Sequence, residues 1–222
     1  MSEFDNKTVV VTGAAGVLGQ AVANIFHTSG ARVIGVDVVP FDAAYETRQA
    51  DLIDPDGAAQ VVESVDTIDI LANIAGGFTM GDSVADTSDE TWDFMFNLNT
   101  RTVLNMVRAV VPRMAERKSG KIINIGARAG LRGGASMAAY AASKSVVIRL
   151  TESLADELKE AGINVNCILP SIIDTERNRA DMPNANFDQW VAPIALAKVV
   201  RFLASEAADP IHGAAIPVEG LS

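Results

Sequence analysis

The chain has 222 residues, 49% hydrophobic and 21% charged, so its composition is that of a globular protein with one sizeable core. Its net charge of −10, without any basic run, argues against nucleic-acid binding, which needs clustered Lys and Arg. No apolar stretch approaches the ~20 residues that span a bilayer, and the acidic N-terminus does not resemble a signal peptide. We therefore expect a soluble cytoplasmic protein in which the single cysteine, Cys167, is a buried thiol.

Short apolar runs alternate with longer segments of helical periodicity, which is typical of repeated βα units and a parallel sheet. Strands are predicted at residues 8–11, 32–36, 48–50, 68–74, 121–125, 163–169 and 214–218. Helices are predicted between residues 16 and 30 and over 55–65, 87–118, 136–160 and 193–204. A capping-box pattern, Thr87-Ser88-Asp89-Glu90, opens the third of them.

These elements predict an α/β fold of the doubly wound Rossmann type, with about seven parallel strands and helices on both faces of the sheet. No linker, repeat or low-complexity segment interrupts residues 1–222, so we expect a single domain. The Pro- and Asn-containing segment at about 171–192 predicts a mobile loop beside the substrate.

A glycine-rich turn, Thr12-Gly13-Ala14-Ala15-Gly16-Val17-Leu18-Gly19, joins the first strand to the first helix, the context of a dinucleotide site. Glycines let the backbone approach a pyrophosphate, whose charge is met by the helix N-terminus. Asp37 ends the second strand, where a carboxylate hydrogen-bonds the ribose diol and repels a 2′-phosphate. The pattern favours NAD(H) over NADP(H); a tight turn that binds nothing is the alternative.

Tyr140 and Lys144 are four residues apart on the predicted helix 136–160, so their side chains lie on one face, one turn apart. A phenol with a pKa of ~10 is a poor proton donor at neutral pH, but a nearby ammonium lowers that value. The pair is therefore a candidate acid/base. The same spacing also occurs by chance, with a solvated lysine beside a packed aromatic ring.

Four segments resemble cofactor-binding segments of the short-chain dehydrogenase/reductase family. The glycine-rich turn resembles the phosphate-binding motif, and Asp51-Leu52 resembles the pair that touches adenine. Residues 73–76 resemble the family's Asn-Asn-Ala-Gly element, and residues 170–175 resemble the Pro-Gly-x-x-x-Thr segment that holds the nicotinamide carboxamide. The resemblance implies an NAD cofactor held by Gly13, Ala15, Gly16, Val17, Leu18, Asp37, Asp51, Leu52, Asn73, Ala75, Gly76, Tyr140, Lys144, Pro170, Ile173 and Thr175.

The resemblance also implies the catalytic residues Asn99, Tyr140 and Lys144. In the family's scheme Tyr140 gives or takes a proton, while Lys144 lowers the pKa of Tyr140 and holds the ribose hydroxyls. Asn99 anchors a water that links Lys144 to solvent. The implied reaction is hydride transfer between nicotinamide and a carbonyl, alcohol or imine-like carbon of a small molecule.

Two positions depart from the family pattern. Val17 stands where shorter members usually have their second glycine, so we expect Gly16 to provide the close approach. Ala127 stands thirteen residues before Tyr140, where the family generally has a serine that hydrogen-bonds the substrate. Losing one such donor can cost about 10² to 10³ in rate.

Dihydropteridine reductase, a branch of the family, also lacks this serine and resembles the present chain at residues 36–39, 75–78 and 174–190. Three alternatives to an ordinary dehydrogenase therefore stay open. One is dihydropteridine reductase-like activity, and another is a weakened NAD-binding sensor or partner subunit. The third is a dehydratase or epimerase that retains NAD.

The side chains expected near the substrate are Ala127, Phe78, Arg177 and Met182. Arg177 either meets an anionic group or belongs to a solvated loop face, and Phe78 and Met182 either line an apolar pocket or pack beneath the loop. Neither histidine has a partner at metal-ligand spacing, so we expect no metal site. The helices over 100–118 and 136–160 resemble those of a four-helix interface in the family, which implies a homodimer or homotetramer.

Overall fold

The computed structural model describes residues 3–222, which fold around one sheet of seven parallel strands in the order β3-β2-β1-β4-β5-β6-β7. The strand order reverses between β1 and β4, and the carboxyl ends of all strands lie at one edge. The strands are β1 Thr8–Thr12, β2 Arg32–Asp37, β3 Glu46–Gln49, β4 Ile70–Asn73, β5 Gly120–Ile125, β6 Ile163–Pro170 and β7 Ala215–Val218.

Helices cover both faces of this sheet, and the predicted doubly wound α/β architecture is confirmed. They are α1 Val17–Thr28, α2 Pro55–Glu63, α3 Asp89–Phe96, α4 Thr102–Arg117, α5 Ala138–Leu158, α6 Glu176–Asp181 and α7 Pro193–Leu203. Within β1, Val9 and Val11 pack in the core beneath α1 and α7, whereas Val10 packs beneath α2 and α4. Because both faces are covered, the central strands are continuous apolar runs.

The predicted helix over 87–118 is interrupted. A π-helical segment, Asn97–Arg101, separates α3 from α4 and contains the buried Asn99. The cap also differs from the predicted box: the Ser88 hydroxyl accepts from the Thr91 amide at 3.1 Å, because the Thr87 hydroxyl donates to the Ser83 carbonyl at 2.8 Å. A π segment is a common feature of functional sites.

The segment predicted as a loop at 171–192 contains α6 and a short 3₁₀ helix, Phe187–Gln189. Its far end is anchored by the buried residues Trp190 and Val191, and Val191 pairs with Ile173. Within residues 3–222, no helix has both the length and the apolar character needed to cross a membrane.

Candidate functional site

The glycine turn between β1 and α1 forms a cradle at the carboxyl edge of the sheet. Gly13 has φ +65°, and a Cβ there would lie 2.8 Å from the backbone of Ala75. A Cβ on Gly19 would lie 2.0 Å from the Gly13 carbonyl oxygen. Gly16 is the N-cap residue of α1 and makes no side-chain cap, which leaves the first-turn amides of Val17 and Leu18 to an incoming anion.

Asp37 is fixed beside this turn. Its carboxylate accepts from the Ala15 amide at 2.9 Å and from the Val39 amide at 3.3 Å. The residues that follow, Val38 and Val39, are exposed and uncharged. On the neighbouring strand, Arg48 forms an ion pair with Glu46 at 3.2 Å. The Asp37 carboxylate is therefore held by backbone amides beside the glycine turn.

Asp51 and Leu52 differ from each other in what they offer a ligand. The Asp51 carboxylate is exposed and accepts from the Ile53 amide at 2.9 Å, whereas the Leu52 side chain is buried in the core. The Leu52 side chain is therefore not available to contact an adenine. Asn105 on α4 holds this loop by donating to the carbonyls of Leu52 and Ile53 at 3.0 and 2.9 Å. Sequence reasoning missed Asn105, whose signal is an isolated amide in an apolar helical stripe.

The Asn73 side chain connects two strands of the sheet. It is buried at the end of β4 and donates to the Asn124 side chain at 2.9 Å, bracing β4 against β5. The next two amides, of Ile74 and Ala75, both donate to the Thr12 hydroxyl at 3.0 Å. These bonds fix the segment leading to Gly76 against the glycine turn.

Gly76 lies against two of the residues predicted to be catalytic, Asn99 and Lys144. A Cβ there would be 2.8 Å from Asn99 Oδ1 and 3.1 Å from Lys144 Nζ, so only glycine leaves room. Asn99 Oδ1 accepts from the Gly77 amide at 2.9 Å, and Asn99 Nδ2 donates to the Gly77 carbonyl at 3.1 Å. The structure thus brings Asn99 and Lys144 together around one glycine.

Ser143 connects Asn99 to the catalytic helix. Its hydroxyl accepts from Asn99 Nδ2 at 3.1 Å and donates to the Tyr140 carbonyl at 2.8 Å. The sequence pattern did not indicate this role of Ser143. The two bonds fix the first turn of α5 relative to the π segment.

Lys144 and Tyr140 have pKa values displaced in opposite directions by the same cause. Lys144 is 4% exposed and its Nζ donates to the Ile125 carbonyl at 2.8 Å; burial lowers its pKa to about 8. Burial raises the pKa of Tyr140 to about 12. The expected lowering of the Tyr140 pKa by Lys144 is therefore absent from this structure, because desolvation alone acts on the phenol.

Ala127 lies two residues beyond the end of β5 and is buried, and its methyl group can offer no hydrogen bond to a substrate. The preceding amide, of Gly126, donates to the Ile168 carbonyl at 2.9 Å and lies 3.2 Å from Cys167 Sγ. Burial raises the pKa of Cys167 to about 11, so this thiol is neutral at physiological pH. The prediction of a buried thiol is confirmed.

The residues predicted to hold the nicotinamide border the same edge. Pro170 is the last residue of β6, and Ile173 and Thr175 follow it. The Thr175 hydroxyl caps α6 by accepting from the Asn178 amide at 3.2 Å, a bond that the sequence pattern did not indicate. The carbonyl of Ile173 accepts from the Asn178 side chain at 2.8 Å.

The candidate substrate residues separate into two groups. Phe78 contacts the Tyr140 ring, with centroids 4.8 Å apart. Arg177 is 83% exposed and lies 3.9 Å from Asp181, and Met182 is partly buried at the end of α6. The structure therefore brings Phe78 to the catalytic pair, whereas Arg177 is a solvated residue of the loop.

A second cleft, of about 390 Å³, lies at the opposite edge of the sheet. Several of its polar side chains pair with each other or with backbone: Lys121 donates to Asn164 at 2.8 Å and also pairs with Asp209, and Asp69 accepts from the Thr8 amide at 2.8 Å. It contains none of the residues of the carboxyl edge. No group of three or more potential metal ligands occurs among residues 3–222.

Comparisons with known proteins agree with this arrangement. The family model described as short chain dehydrogenase matches residues 7–186. Dehydrogenase/reductase SDR family member 6 of Xenopus laevis is 36% identical over 183 residues, covering 79% of this chain and 74% of the relative. Short-chain dehydrogenase/reductase cdmF of Talaromyces verruculosus is 32% identical over 251 residues, covering 99% of this chain and 98% of the relative.

Solved structures show the same fold. A crystal structure described as ribose-5-phosphate isomerase from Brucella melitensis 16M superposes with a TM-score of 0.91 at 29% identity, covering 98% of this chain and 92% of that chain. Because one fold supports many activities, this likeness concerns architecture.

Proposed function

Since this chain belongs to the short-chain dehydrogenase family, we propose that it is an NAD(H)-dependent oxidoreductase that interconverts a carbonyl, or an imine-like carbon, and its reduced form in a small molecule. The proposal rests on the relative positions of three side chains. The buried Lys144 ammonium and Asn99 meet at Gly76, and Tyr140 is one helical turn from Lys144. This cluster lies at the same sheet edge as the uncapped glycine turn.

The residues present fit a dinucleotide. The positive φ of Gly13, the close packing of Gly19 and the uncapped start of α1 form an anion-binding cradle, and Asp37 beside it favours NAD(H). The adenine would lie against Asp51 and the Leu52 backbone, and the nicotinamide near Pro170, Ile173 and Thr175. When bound, this cofactor supplies or accepts the hydride.

Tyr140 is the proton donor in the direction of reduction. With a pKa of about 12, its phenol is protonated at neutral pH and can donate to the substrate oxygen. Lys144, with a pKa of about 8, is mostly charged at pH 7 and keeps two N–H bonds beyond the one given to Ile125. These bonds can hold the ribose hydroxyls beside Tyr140. In the direction of oxidation, the same positive charge must approach Tyr140 to stabilise the phenolate.

Asn99 supports this arrangement through its side chain, which is fully engaged by Gly77 and Ser143. Any water that it anchors must therefore bind its backbone. Because Ala127 offers no donor, either a water or a polar group of the substrate must orient the reacting atom together with Tyr140.

The test is a screen of NADH oxidation over aldehydes, ketones, sugar-derived keto compounds and quinonoid dihydropterins, with Tyr140→Phe as the blank. The proposal predicts turnover by the wild type that Tyr140→Phe abolishes, with NADH binding retained. Activity confined to the dihydropterin would identify the dihydropteridine reductase-like alternative.

A second candidate is an NAD-binding sensor or partner subunit with little turnover, which the absence of a hydroxyl at Ala127 favours. NADH binding without reduction of any carbonyl would select this candidate. We further propose a homodimer or homotetramer built on α4 and α5, for which a monomeric mass at micromolar concentration would be the contrary result.

A further inference from the structure

Phe78 is an exposed aromatic residue held in contact with Tyr140. The two ring planes make an angle of 89°, an edge-to-face arrangement, and yet 48% of Phe78 is exposed. The backbone just before it is fixed, because the Asn99 side chain binds both the amide and the carbonyl of Gly77. A Cβ on Gly77 would lie 2.6 Å from Leu98 Cδ2, so a larger residue there would require the Leu98 side chain to move. The position of Phe78 is thus set by the catalytic asparagine.

Two segments around Phe78, residues 77–81 and 133–140, contain no Asp, Glu, Lys, Arg or His, and the exposed Asp82 directly follows the first segment. They are joined by a hydrogen bond from the Gly81 amide to the Ser136 carbonyl at 2.8 Å. Met80 is 56% exposed on the first segment. Beside Tyr140, the substrate therefore meets apolar side chains and neutral backbone.

Of the two arginines in the neighbouring loop, one is paired with a carboxylate and the other is solvated. Arg179 donates two hydrogen bonds to the Asp174 carboxylate, at 2.6 and 2.8 Å. Arg177 lies at 3.9 Å from Asp181 with its side chain largely in solvent, where an ion pair is weak. Arg132 borders the second segment and is exposed, without a hydrogen bond or ion pair inside residues 3–222, so the test must include it.

We infer that Phe78 determines the specificity of this site, selecting neutral carbonyl compounds whose apolar, planar ring packs on its exposed part. Packing of that ring would align the carbonyl with Tyr140 in place of the hydrogen bond that Ala127 cannot make. A carboxylate or phosphate on the same ring would lose hydration against an uncharged surface, which costs binding free energy. The inference rests on the proposed function, because it requires Tyr140 to act on a carbonyl.

The test measures kcat/KM with NADH for benzaldehyde, para-carboxybenzaldehyde and acetaldehyde. We expect the wild type to prefer benzaldehyde to its carboxylated analogue by about tenfold or more. Phe78→Ala should lower kcat/KM for benzaldehyde by roughly tenfold or more and for acetaldehyde by less than about threefold, because only the aromatic substrate loses its packing surface. Phe78→Leu, which keeps an apolar side chain, should lie between the wild type and Phe78→Ala.

Phe202→Ala is the matched control, since Phe202 is 46% exposed and lies on α7, across the sheet from α5. It should leave all three substrates unchanged. Equal losses for all three aldehydes in Phe78→Ala and Phe78→Leu, with NADH affinity intact, would overturn the inference and leave the proposed function standing. A preference for para-carboxybenzaldehyde that Arg132→Ala removes would also overturn it. NADH binding without NADH oxidation in the presence of any of the three aldehydes would overturn this inference, whereas the proposed function would be rejected only if the wider carbonyl screen also gave no turnover.

Discussion

Lys144 gives the sharpest test of the site's electrostatics, because its ammonium is buried without a carboxylate partner. A pKa lowered from 10.5 to about 8 means that the unfolded chain holds this proton more tightly than the folded one. The shift corresponds to a destabilisation of about 3 kcal/mol at neutral pH, present below pH 8 and relieved as pH rises towards 10.5. The unfolded state binds more protons throughout this interval, so the unfolding free energy must increase with pH.

Between pH 7 and 9 this increase is about 1.3 kcal/mol, and Lys144→Met should lack it. Urea unfolding of both proteins at pH 7, 8 and 9 measures the difference, in which other titrating groups cancel to first approximation. The comparison of the two proteins is needed because the raised pKa values of Cys167 and Tyr140 lower the unfolding free energy as pH rises above about 9. Lys198→Met, which removes an exposed lysine from α7, is the control and should follow the wild type. Parallel pH profiles for the wild type and Lys144→Met would refute the assignment of a strained buried ammonium.

Three further variants test other parts of the site. Asp37→Ala should weaken NADH binding and improve the relative use of NADPH; an unchanged preference in steady-state kinetics would refute its assigned role. Gly19→Ala should abolish NADH binding and lower the unfolding free energy by several kcal/mol, because its Cβ would lie 2.0 Å from the Gly13 carbonyl oxygen. Gly133→Ala has open space around its Cβ and should change neither NADH binding nor the stability measured by urea unfolding. Ala127→Ser should raise turnover of small carbonyls by about tenfold or more; no gain in any reduction assay would show that the site orients substrates independently of a hydroxyl there.

Periodicity and glycine placement were sufficient to predict the architecture. Alternating apolar runs and helical segments predicted the βα repeat, and the structure confirms seven parallel strands covered on both faces. The limits of these elements depended on interactions that a pattern does not contain. Ser88 became the cap because Thr87 is hydrogen-bonded to Ser83, and the π segment around Asn99 depends on bonds to Gly77 and Ser143, which are distant in sequence.

The site was predictable as a set of residues and less so as an electrostatic arrangement. Spacing along one helix places Tyr140 and Lys144 together, but the sequence does not indicate that both are desolvated or that Lys144 is bonded to Ile125. The contact between Phe78 and Tyr140 joins residues that are 62 positions apart, so only the fold reveals it. Asn73 and Leu52 stay predicted neighbours of the cofactor, but the sequence did not indicate that their side chains brace the sheet and fill the core.

The most direct measurement of the central claim is NADH oxidation by Tyr140→Phe, at saturating NADH, with a carbonyl that the wild type reduces. Tyr45→Phe is the matched control, because it removes the chain's other phenol from a position against His27. The proposed function predicts that Tyr140→Phe binds NADH as tightly as the wild type and loses at least about 10²-fold in kcat, while Tyr45→Phe keeps both properties. Near-normal turnover by Tyr140→Phe would contradict it.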